Sequence, residues 1–300
     1  MRGFAKRQAG NLRGILVTGG HGLLGRHVVA GLDPDYHVTV ADRVDGGSHQ
    51  PNGPVDVLDI KALDRAVRGQ DAIIHIAALD AAMPAGPHEF FHTNTLAAWN
   101  TLHAGYEAGI RKFVVCSSST VYGVREMVPR YLPIDEAHPT RTTSPYGLSK
   151  RVTELVASGF AQRDGVTVIV LRPCYVAYSH LVERLASEAE PAEPDAEPLP
   201  PLRWYVSPAD AARCFRAALE AELVGYHVFN VGAADSFSSE PSLVVAESEY
   251  AILPEIHRPE RFDVEPRASL LDCSLARETL GWAPRDDWAS VVAAQRSRGG

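Results

Sequence analysis

The sequence predicts an α/β domain with a doubly wound parallel sheet, and three observations support this fold class. Short apolar runs alternate with helical patterns over residues 13–173. The apolar runs are continuous and rich in valine and isoleucine, which is typical of strands buried on both faces. A glycine-rich turn joins the first strand to the first helix. Strands and helices that alternate in this way form a parallel sheet covered by helices on both sides.

The elements follow one another in a regular order. The apolar runs that predict strands are "GILVTGG" (14–20), "HVTVADR" (37–43), "DAIIHIAA" (71–78), "KFVVCSSS" (112–119), "VTVIVLRP" (166–173) and "HVFNVGAA" (227–234). Helical spacing of apolar residues predicts helices at 25–32, 60–69, 94–109, 145–165, 207–222 and 274–280. Gly109 ends the third helix, since glycine is favoured just beyond a helix C-terminus. Ser207 and Pro208 open the fifth as an N-cap serine and a first-turn proline.

Composition and charge exclude several classes of function. The chain has 300 residues, of which 45% are hydrophobic and 22% charged, as in a globular protein. A net charge of −8 argues against a nucleic-acid or anionic membrane surface, because such a surface needs a basic patch. No apolar run reaches the ~18–20 residues that span a bilayer. The four cysteines are scattered, so we expect free thiols, no metal site and a cytoplasmic location.

The turn "VTGGHGLLGRH" has the features of a dinucleotide-binding loop. Gly19, Gly22 and Gly25 are spaced G-x-x-G-x-x-G between a strand and a helix. The turn must be tight, and its backbone must come close to a pyrophosphate at the helix N-terminus. We assign Leu23 and Leu24, which lie within the turn, to the same cofactor site.

An acidic residue at the end of the second strand completes this motif. Asp42 lies 23 positions after Gly19. A carboxylate there accepts hydrogen bonds from the adenosine ribose and repels a 2′-phosphate, so the sequence favours NAD over NADP. Arg43 can hold such a phosphate or point to solvent. Asp59, followed by Ile60, can reach the adenine amino group, act as an N-cap for the next helix, or do both.

We expect residues 13–173 to form the NAD-binding domain and residues 174–300 a smaller substrate-binding part. Within the second part, residues 207–234 are expected to pack back onto the sheet. Residues 187–201 are acidic and proline-rich, which predicts a mobile loop without a core of its own. Residues 1–12 are basic but have no apolar core, which predicts a flexible tail rather than a secretory signal.

The stretch "SPYGLSK" places Tyr146 four residues before Lys150, on one face of a helix. That spacing is common by chance, and other motifs have to decide its meaning. They are "TGGHGLLG" (18–25), "HIAA" (75–78), "NTLAAWN" (94–100), "SSSTVYG" (117–123), "YGLSK" (146–150), "LRP" (171–173), "NVGA" (230–233) and "LGWAP" (280–284). Taken in this order, they resemble the extended short-chain dehydrogenase/reductases, also called NAD-dependent epimerases/dehydratases. The resemblance implies a Rossmann sheet, an NAD cofactor and a Ser-Tyr-Lys catalytic set.

By this resemblance Tyr146 is the general base. A tyrosine with its ordinary pKa of ~10 is a poor base at neutral pH. The ammonium of Lys150 favours the phenolate and so lowers the pKa of Tyr146. Lys150 is also implied to hold the nicotinamide ribose. Ser118 is implied to donate to the substrate oxygen, with Ser117 and Ser119 as the alternatives at this position.

The resemblance also assigns residues around the nicotinamide and the substrate. Ala77 and Ala78 match small residues beside the cofactor, and Pro173 begins the segment that passes the nicotinamide. Tyr175 stands where nucleotide-sugar members carry a substrate-binding asparagine. Arg203 matches an arginine that grips a diphosphate, although it can also bind a substrate carboxylate or stack on a neighbouring ring.

The segment at 178–203 is shorter and more acidic than in nucleotide-sugar members, which resembles the compact uronate and aldose dehydrogenases. We therefore expect an NAD-dependent oxidoreductase acting on a small sugar or sugar acid. A nucleotide-sugar 4-epimerase or dehydratase is the alternative, and a non-catalytic dinucleotide sensor is a third. Family resemblance also implies a homodimer through the 94–109 and 145–165 helices.

Overall fold

A computed structural model shows a six-stranded parallel sheet with helices on both faces, as the sequence predicts. The structure describes residues 12–46, 49–51, 53–188 and 198–299. The strands of the sheet are β1 (Gly14–Thr18), β2 (His37–Ala41), β3 (Ala72–His75), β4 (Lys112–Cys116), β6 (Thr167–Pro173) and β7 (Gly225–Val231). Two short strands, β5 (Tyr131–Leu132) and β8 (Glu255–Ile256), form a separate parallel pair.

The strand order of the main sheet is β2-β1-β3-β4-β6-β7, and it reverses beside β1. From β1 the chain moves outward to β2 and then returns to place β3 on the other side of β1. Such a reversal opens a crevice at the carboxyl ends of the central strands. Thr18 of β1 and His75 of β3 pair in register at those ends. The glycine-rich turn leaves β1 at this point, so it lies at the crevice.

Helices cover both faces of the sheet. They are α1 (Gly25–Leu32), α2 (Ile60–Ala66), α3 (Pro87–Glu107), α4 (Pro145–Ala161), α5 (Ser179–Ser187), α6 (Pro208–Glu220), α7 (Ser242–Tyr250), α8 (Glu260–Val264), α9 (Ser274–Leu280) and α10 (Trp288–Gly299). Helices α1 and α6 contact each other over one face, and α2, α3 and α4 pack over the other. Because successive strand residues point to opposite faces, Ile15 and Val17 enter the first core and Leu16 the second. This explains the continuous apolar strands.

The predicted elements differ from the observed ones mainly at their ends, but the sequence did not predict the elements α5, α7, α8, α10, β5 and β8. Helix α3 begins at Pro87, seven residues before the predicted start at 94. Proline is tolerated at the first helical position, and the Glu89 carboxylate accepts a hydrogen bond from the Gly86 amide at 2.7 Å. Helix α5 covers residues for which the sequence predicts no helix or strand. Its last residue, 187, belongs to the predicted acidic loop. Residues 189–197 of that loop and residues 1–11 of the predicted tail lie outside the described residues.

A buried polar network joins α4, β6, β7 and the turn that follows β4. The Arg172 guanidinium of β6 donates to both carboxylate oxygens of Glu154 on α4, at 2.8 and 2.7 Å. It also donates to the Tyr122 hydroxyl at 2.9 Å, and that hydroxyl donates to the Asn230 side chain of β7 at 2.6 Å. The Ser117 hydroxyl donates to Glu154 at 2.6 Å. Each of these five side chains is buried, and their polar groups satisfy one another.

Two further observations concern the predictions about membrane helices and cysteines. In that part of the chain, no helix combines the length and the apolar character that a membrane crossing needs. The four cysteines are free thiols, of which Cys116, Cys174 and Cys214 are buried and Cys273 is partly buried.

Candidate active site

The glycine-rich turn is packed backbone against backbone. Gly19 has a φ of +71°, and a Cβ on it would lie 2.7 Å from the Ala77 amide nitrogen. A Cβ on Gly25 would lie 2.0 Å from the Gly19 carbonyl oxygen. A side chain at either position would therefore force the turn apart. Gly22 is different, because its Cβ would have a single close neighbour, at 3.2 Å, and the residue is exposed.

A cavity of about 900 Å³ extends along the carboxyl edge of the sheet from this turn. Most residues that the sequence assigns to the site line it, namely Gly19, Gly22, Leu23, Leu24, Gly25, Asp42, Arg43, Ala77, Ala78, Ser118, Ser119, Tyr146, Lys150, Pro173 and Tyr175. Three assigned residues are not among those that line it, namely Asp59, Ile60 and Arg203. The cavity is continuous from one end to the other, so a dinucleotide and a second ligand can meet inside it.

Asp42 is held at one end of the cavity by backbone groups. Its carboxylate accepts hydrogen bonds from the His21 amide at 3.0 Å and the Val44 amide at 3.1 Å. Its carbonyl accepts from the Gln50 side chain at 3.0 Å and from the Val55 amide at 2.7 Å. These contacts fix the carboxylate while its oxygens keep the capacity to accept more hydrogen bonds.

Asp56 lines the cavity, whereas Asp59, which the sequence assigns to the cofactor site, does not. Asp59 is the N-cap of α2 and accepts from the Lys61 and Ala62 amides at 2.9 and 3.2 Å. Asp56, three residues earlier, lines the cavity together with residues 57 and 58. The Asp56 carboxylate also accepts a hydrogen bond from the Leu58 amide at 2.9 Å. Asp56 lies within the stretch "VDVL" and Asp59 follows it, each between two aliphatic residues, so the sequence gives little to separate their roles.

Tyr146 and Lys150 lie in the first turns of α4, whose N-cap is Ser144. Lys150 is buried, and its Nζ donates to the Cys116 carbonyl at the end of β4 at 3.0 Å. That contact holds the ammonium 5.7 Å from the centre of the Tyr146 ring. The Phe90 ring meets the Tyr146 ring edge-on, with centres 6.0 Å apart. The buried ammonium is thus fixed beside the partly buried phenol.

Ser118 lies across the cavity at the end of β4. It caps the short 3₁₀ turn at Ser119–Tyr122 by accepting from the Thr120 amide at 3.1 Å. Its hydroxyl lies 2.8 Å from the Thr120 hydroxyl. Ser117, the neighbouring alternative, also lines the cavity, but it is buried and its hydroxyl donates to Glu154 in the network described above. Ser118 is therefore the better placed of these two serines to contact a ligand.

Glu126 is a cavity residue that sequence reasoning missed. Its carboxylate accepts from the Ser144 amide at 3.2 Å and from the Thr142 hydroxyl at 3.3 Å. Through Ser144 it supports the start of the helix that carries Tyr146. The sequence offers no signal for this role, because Glu126 lies in a loop 18 residues away from Ser144.

His75 lies beneath the cavity floor. Its Nδ1 is 2.8 Å from the Thr18 hydroxyl, which also accepts from the Ile76 and Ala77 amides at 3.2 and 3.3 Å. Burial, with a smaller effect of the Lys150 charge, lowers the pKa of His75 to about 3. The imidazole is therefore neutral at physiological pH and adds no positive charge beside Lys150.

The far end of the cavity contains an arginine that the sequence does not single out. Arg184 of α5 donates to the Tyr175 hydroxyl at 2.5 Å, and both residues line the cavity with the buried Trp204. Arg203 instead donates to the Pro200 carbonyl at 2.9 Å. The apolar residues of "SHLVERLAS" recur at helical spacing, and this pattern is a signal by which α5 and Arg184 could have been found.

Comparisons with known proteins agree with this geometry. The model of the NAD dependent epimerase/dehydratase family matches residues 15–232. Human UDP-glucose 4-epimerase is 28% identical to this chain, and the match covers 89% of this chain and 91% of that protein. The structure of MoeE5 in complex with UDP-glucuronic acid and NAD has a TM-score of 0.70 at 22% identity and covers 95% of this chain and 99% of its own. A mutated uronate dehydrogenase has a TM-score of 0.64 at 22% identity, with 96% and 87% covered.

Glycine-to-alanine variants of the turn separate cofactor binding from folding. Gly22→Ala should fold like the wild type but bind NAD at least ~10-fold more weakly, because the new methyl group enters the space that the pyrophosphate must approach. Gly25→Ala should lower the free energy of unfolding by about 1–3 kcal/mol, because its Cβ overlaps the Gly19 carbonyl. Urea denaturation and calorimetric NAD titration measure the two effects.

Gly159→Ala on α4 is the matched control. Its Cβ would meet open space, so stability should rise by up to ~1 kcal/mol and NAD affinity should stay unchanged. Wild-type NAD affinity in Gly22→Ala would contradict the assigned position of the pyrophosphate.

Proposed function

The chain belongs to the NAD-dependent epimerase/dehydratase family, and from this premise we propose that it is an NAD-dependent nucleotide-sugar 4-epimerase. It is an enzyme of the extended short-chain dehydrogenase type, as the sequence predicts. The observation that carries the proposal is that Ser118, Tyr146 and Lys150 share one cavity with the glycine-rich turn and Asp42. The curated relatives support the epimerase more than the dehydrogenase of a free sugar that the sequence favours.

The residues of the cavity fit NAD. The open space at Gly22 and the absence of an acidic side chain in the first turn of α1 suit a pyrophosphate. Asp42 would accept the adenosine ribose hydroxyls, which favours NAD over NADP, and Asp56 lies at the adenine end. Lys150 would hold the nicotinamide ribose. Bound NAD would supply a reversible hydride acceptor for the substrate carbon.

The chain's own residues handle the proton of the substrate hydroxyl. Tyr146 as phenolate would take this proton, and it would return the proton to the same oxygen after the sugar has turned. The Lys150 ammonium, 5.7 Å from the ring centre, favours the phenolate by Coulomb attraction. The Ser118 hydroxyl would donate to the substrate oxygen while charge develops there. An epimerase needs both proton transfers, and one residue supplies them.

We assign the diphosphate of the substrate to the Arg184 end of the cavity. A guanidinium binds phosphate oxygens through paired N–H groups, and the Tyr175 hydroxyl orients this one. Tyr175, in the place of the usual asparagine, would thus act through Arg184. This assignment replaces the one that the sequence makes for Arg203.

We further propose a cytoplasmic homodimer formed through α3 and α4. Apolar side chains on the outer faces of these helices are exposed, namely Phe91, Trp99, Leu148 and Leu155. A second copy would cover them. Light scattering after size-exclusion chromatography should give twice the mass of one chain, 32.5 kDa, and a mass of one chain would contradict the dimer.

Tyr146→Phe tests the catalytic assignment. The variant should lose about 10²–10⁴-fold in turnover and keep its affinity for NAD, because only the proton acceptor is removed. Interconversion of UDP-glucose and UDP-galactose is followed by NMR, and free uronic acids and aldoses are assayed in parallel for NADH formation. Tyr106→Phe on α3, which does not line the cavity, is the matched control.

The outcomes of this assay differ in kind. Interconversion without net NADH supports the epimerase. NADH formed from a free sugar would reject it in favour of the dehydrogenase. No turnover with any substrate, together with tight NAD binding, would leave the dinucleotide sensor.

Arg184→Gln and Arg203→Gln distinguish the structural assignment from the sequence-based one. Arg184→Gln should raise KM for the nucleotide sugar at least ~10-fold with kcat little changed, because it removes binding far from the reacting carbon. Arg203→Gln should stay within ~2-fold of the wild type. A raised KM in Arg203→Gln with a wild-type KM in Arg184→Gln would assign the diphosphate to Arg203 instead.

A further inference from the structure

A second cavity, of about 230 Å³, lies in the C-terminal part of the chain. Its walls are formed by residues 232–234 after β7, by Arg258 and Arg261 beside and within α8, by residues 271–274, and by Arg277 of α9 with Pro284. It shares no lining residue with the larger cavity. The nucleotide and substrate assignments above therefore leave it unused.

The charge of its lining is unbalanced. Arg258, Arg261 and Arg277 face one acid, Asp272, among the described residues that line the cavity. The excess is two positive charges. The nearby, partly buried acid Glu136 is not part of the lining, and its carboxylate accepts from the Asn230 amide at 2.7 Å.

Asp272 is already engaged by other groups. Its carboxylate pairs with the Arg258 guanidinium and accepts from the Ser274 amide at 2.8 Å. Within the described part of the chain, the side chains of Arg261 and Arg277 form no hydrogen bond or ion pair. Arg261 is partly buried, and burial lowers the pKa of its guanidinium, with Arg258 and Arg277 adding to the effect and Asp272 opposing it. A guanidinium remains charged in proteins, so its lost hydration calls for an anion.

We propose that this cavity binds a phosphate group, either inorganic phosphate or the monoester of a small metabolite. Arginines present paired N–H donors that match tetrahedral phosphate oxygens, and the excess charge of the lining matches the charge of the anion. The volume is several times the ~30 Å³ share of one water molecule in the liquid, so the group fits. This inference is independent of the proposed function, since no residue of the active-site cavity takes part.

Gly232, which lines the phosphate cavity, lies close to residues of both cavities. A Cβ on Gly232 would lie 3.3 Å from the sulfur of Cys174, which lines the active-site cavity. It would also lie 3.0 Å from a Leu271 side-chain carbon and 3.6 Å from the sulfur of Cys273, which both line the phosphate cavity. The phosphate cavity is therefore close to a residue in the wall of the larger cavity.

Calorimetric titration of the full chain, saturated with NAD and at constant ionic strength, tests the proposal. Inorganic phosphate and glycerol 3-phosphate are the probes. Saturable binding is expected in the wild type, and Arg261→Gln and Arg277→Gln should each weaken it at least ~10-fold. Arg296→Gln on α10, which removes the same charge outside the cavity, should bind like the wild type. Tighter binding of the ester than of inorganic phosphate would assign the site to a metabolite, and equal or weaker binding to the free ion.

Three results would overturn the proposal. These are no saturable binding, unchanged affinity in Arg277→Gln, and loss of binding in Arg184→Gln, which would move the phosphate into the active-site cavity. Arg277 is exposed, so its variant decides the question even if Arg261→Gln fails to fold. Phosphate bound at the glycine-rich turn would persist in both arginine variants and would count against the site.

Discussion

The buried ion pair between Glu154 and Arg172 is the interaction on which the site depends. Removing two charges from water is costly, and further hydrogen bonds offset part of that cost here. Ser117 donates to Glu154, Tyr122 accepts from Arg172, and Asn230 accepts from Tyr122. Leaving one charge of such a pair without its partner costs about 3–5 kcal/mol. The network ties α4 to β6, β7 and the turn after β4, and so fixes the elements that carry Tyr146 and Ser118 relative to each other.

The two ends of the active-site cavity are built differently. At the nucleotide end, backbone groups make most of the contacts, as when two amides hold the Asp42 carboxylate and the glycine turn packs on the Ala77 amide. At the other end the contacts come from side chains of a nine-residue helix, with Arg184 held by the Tyr175 hydroxyl. Contacts made by backbone groups persist when side chains change, whereas contacts made by side chains on a short helix change with the sequence. This difference is consistent with the proposed nucleotide at the first end and the proposed substrate at the second.

Much of the sheet could be predicted from the sequence, because most of its strands are largely apolar runs bounded by turns. The glycine spacing and the Tyr-Lys pair could also be identified from the sequence, since each motif lies within one short segment. Contacts between distant segments could not be predicted in this way. Asp56 and Asp59 are each flanked by two aliphatic residues, and the fold decides which caps α2 and which lines the cavity. Arg203 matched a motif, but its side chain bonds to the Pro200 carbonyl, whereas Arg184 lies on a helix hidden beside a proline-rich stretch.

The anchor of Lys150 has a consequence for how this chain can change over evolutionary time. Its ammonium is held by the Cys116 carbonyl, a main-chain group that every amino acid possesses. Substitution at position 116 alters the buried thiol, but it leaves the acceptor in place as long as β4 keeps its course. The partner of the Lys150 ammonium is thus encoded by the path of the strand rather than by the identity of a residue. Packing in the core limits which side chains position 116 accepts, but any that fits leaves the charge beside Tyr146 where it is.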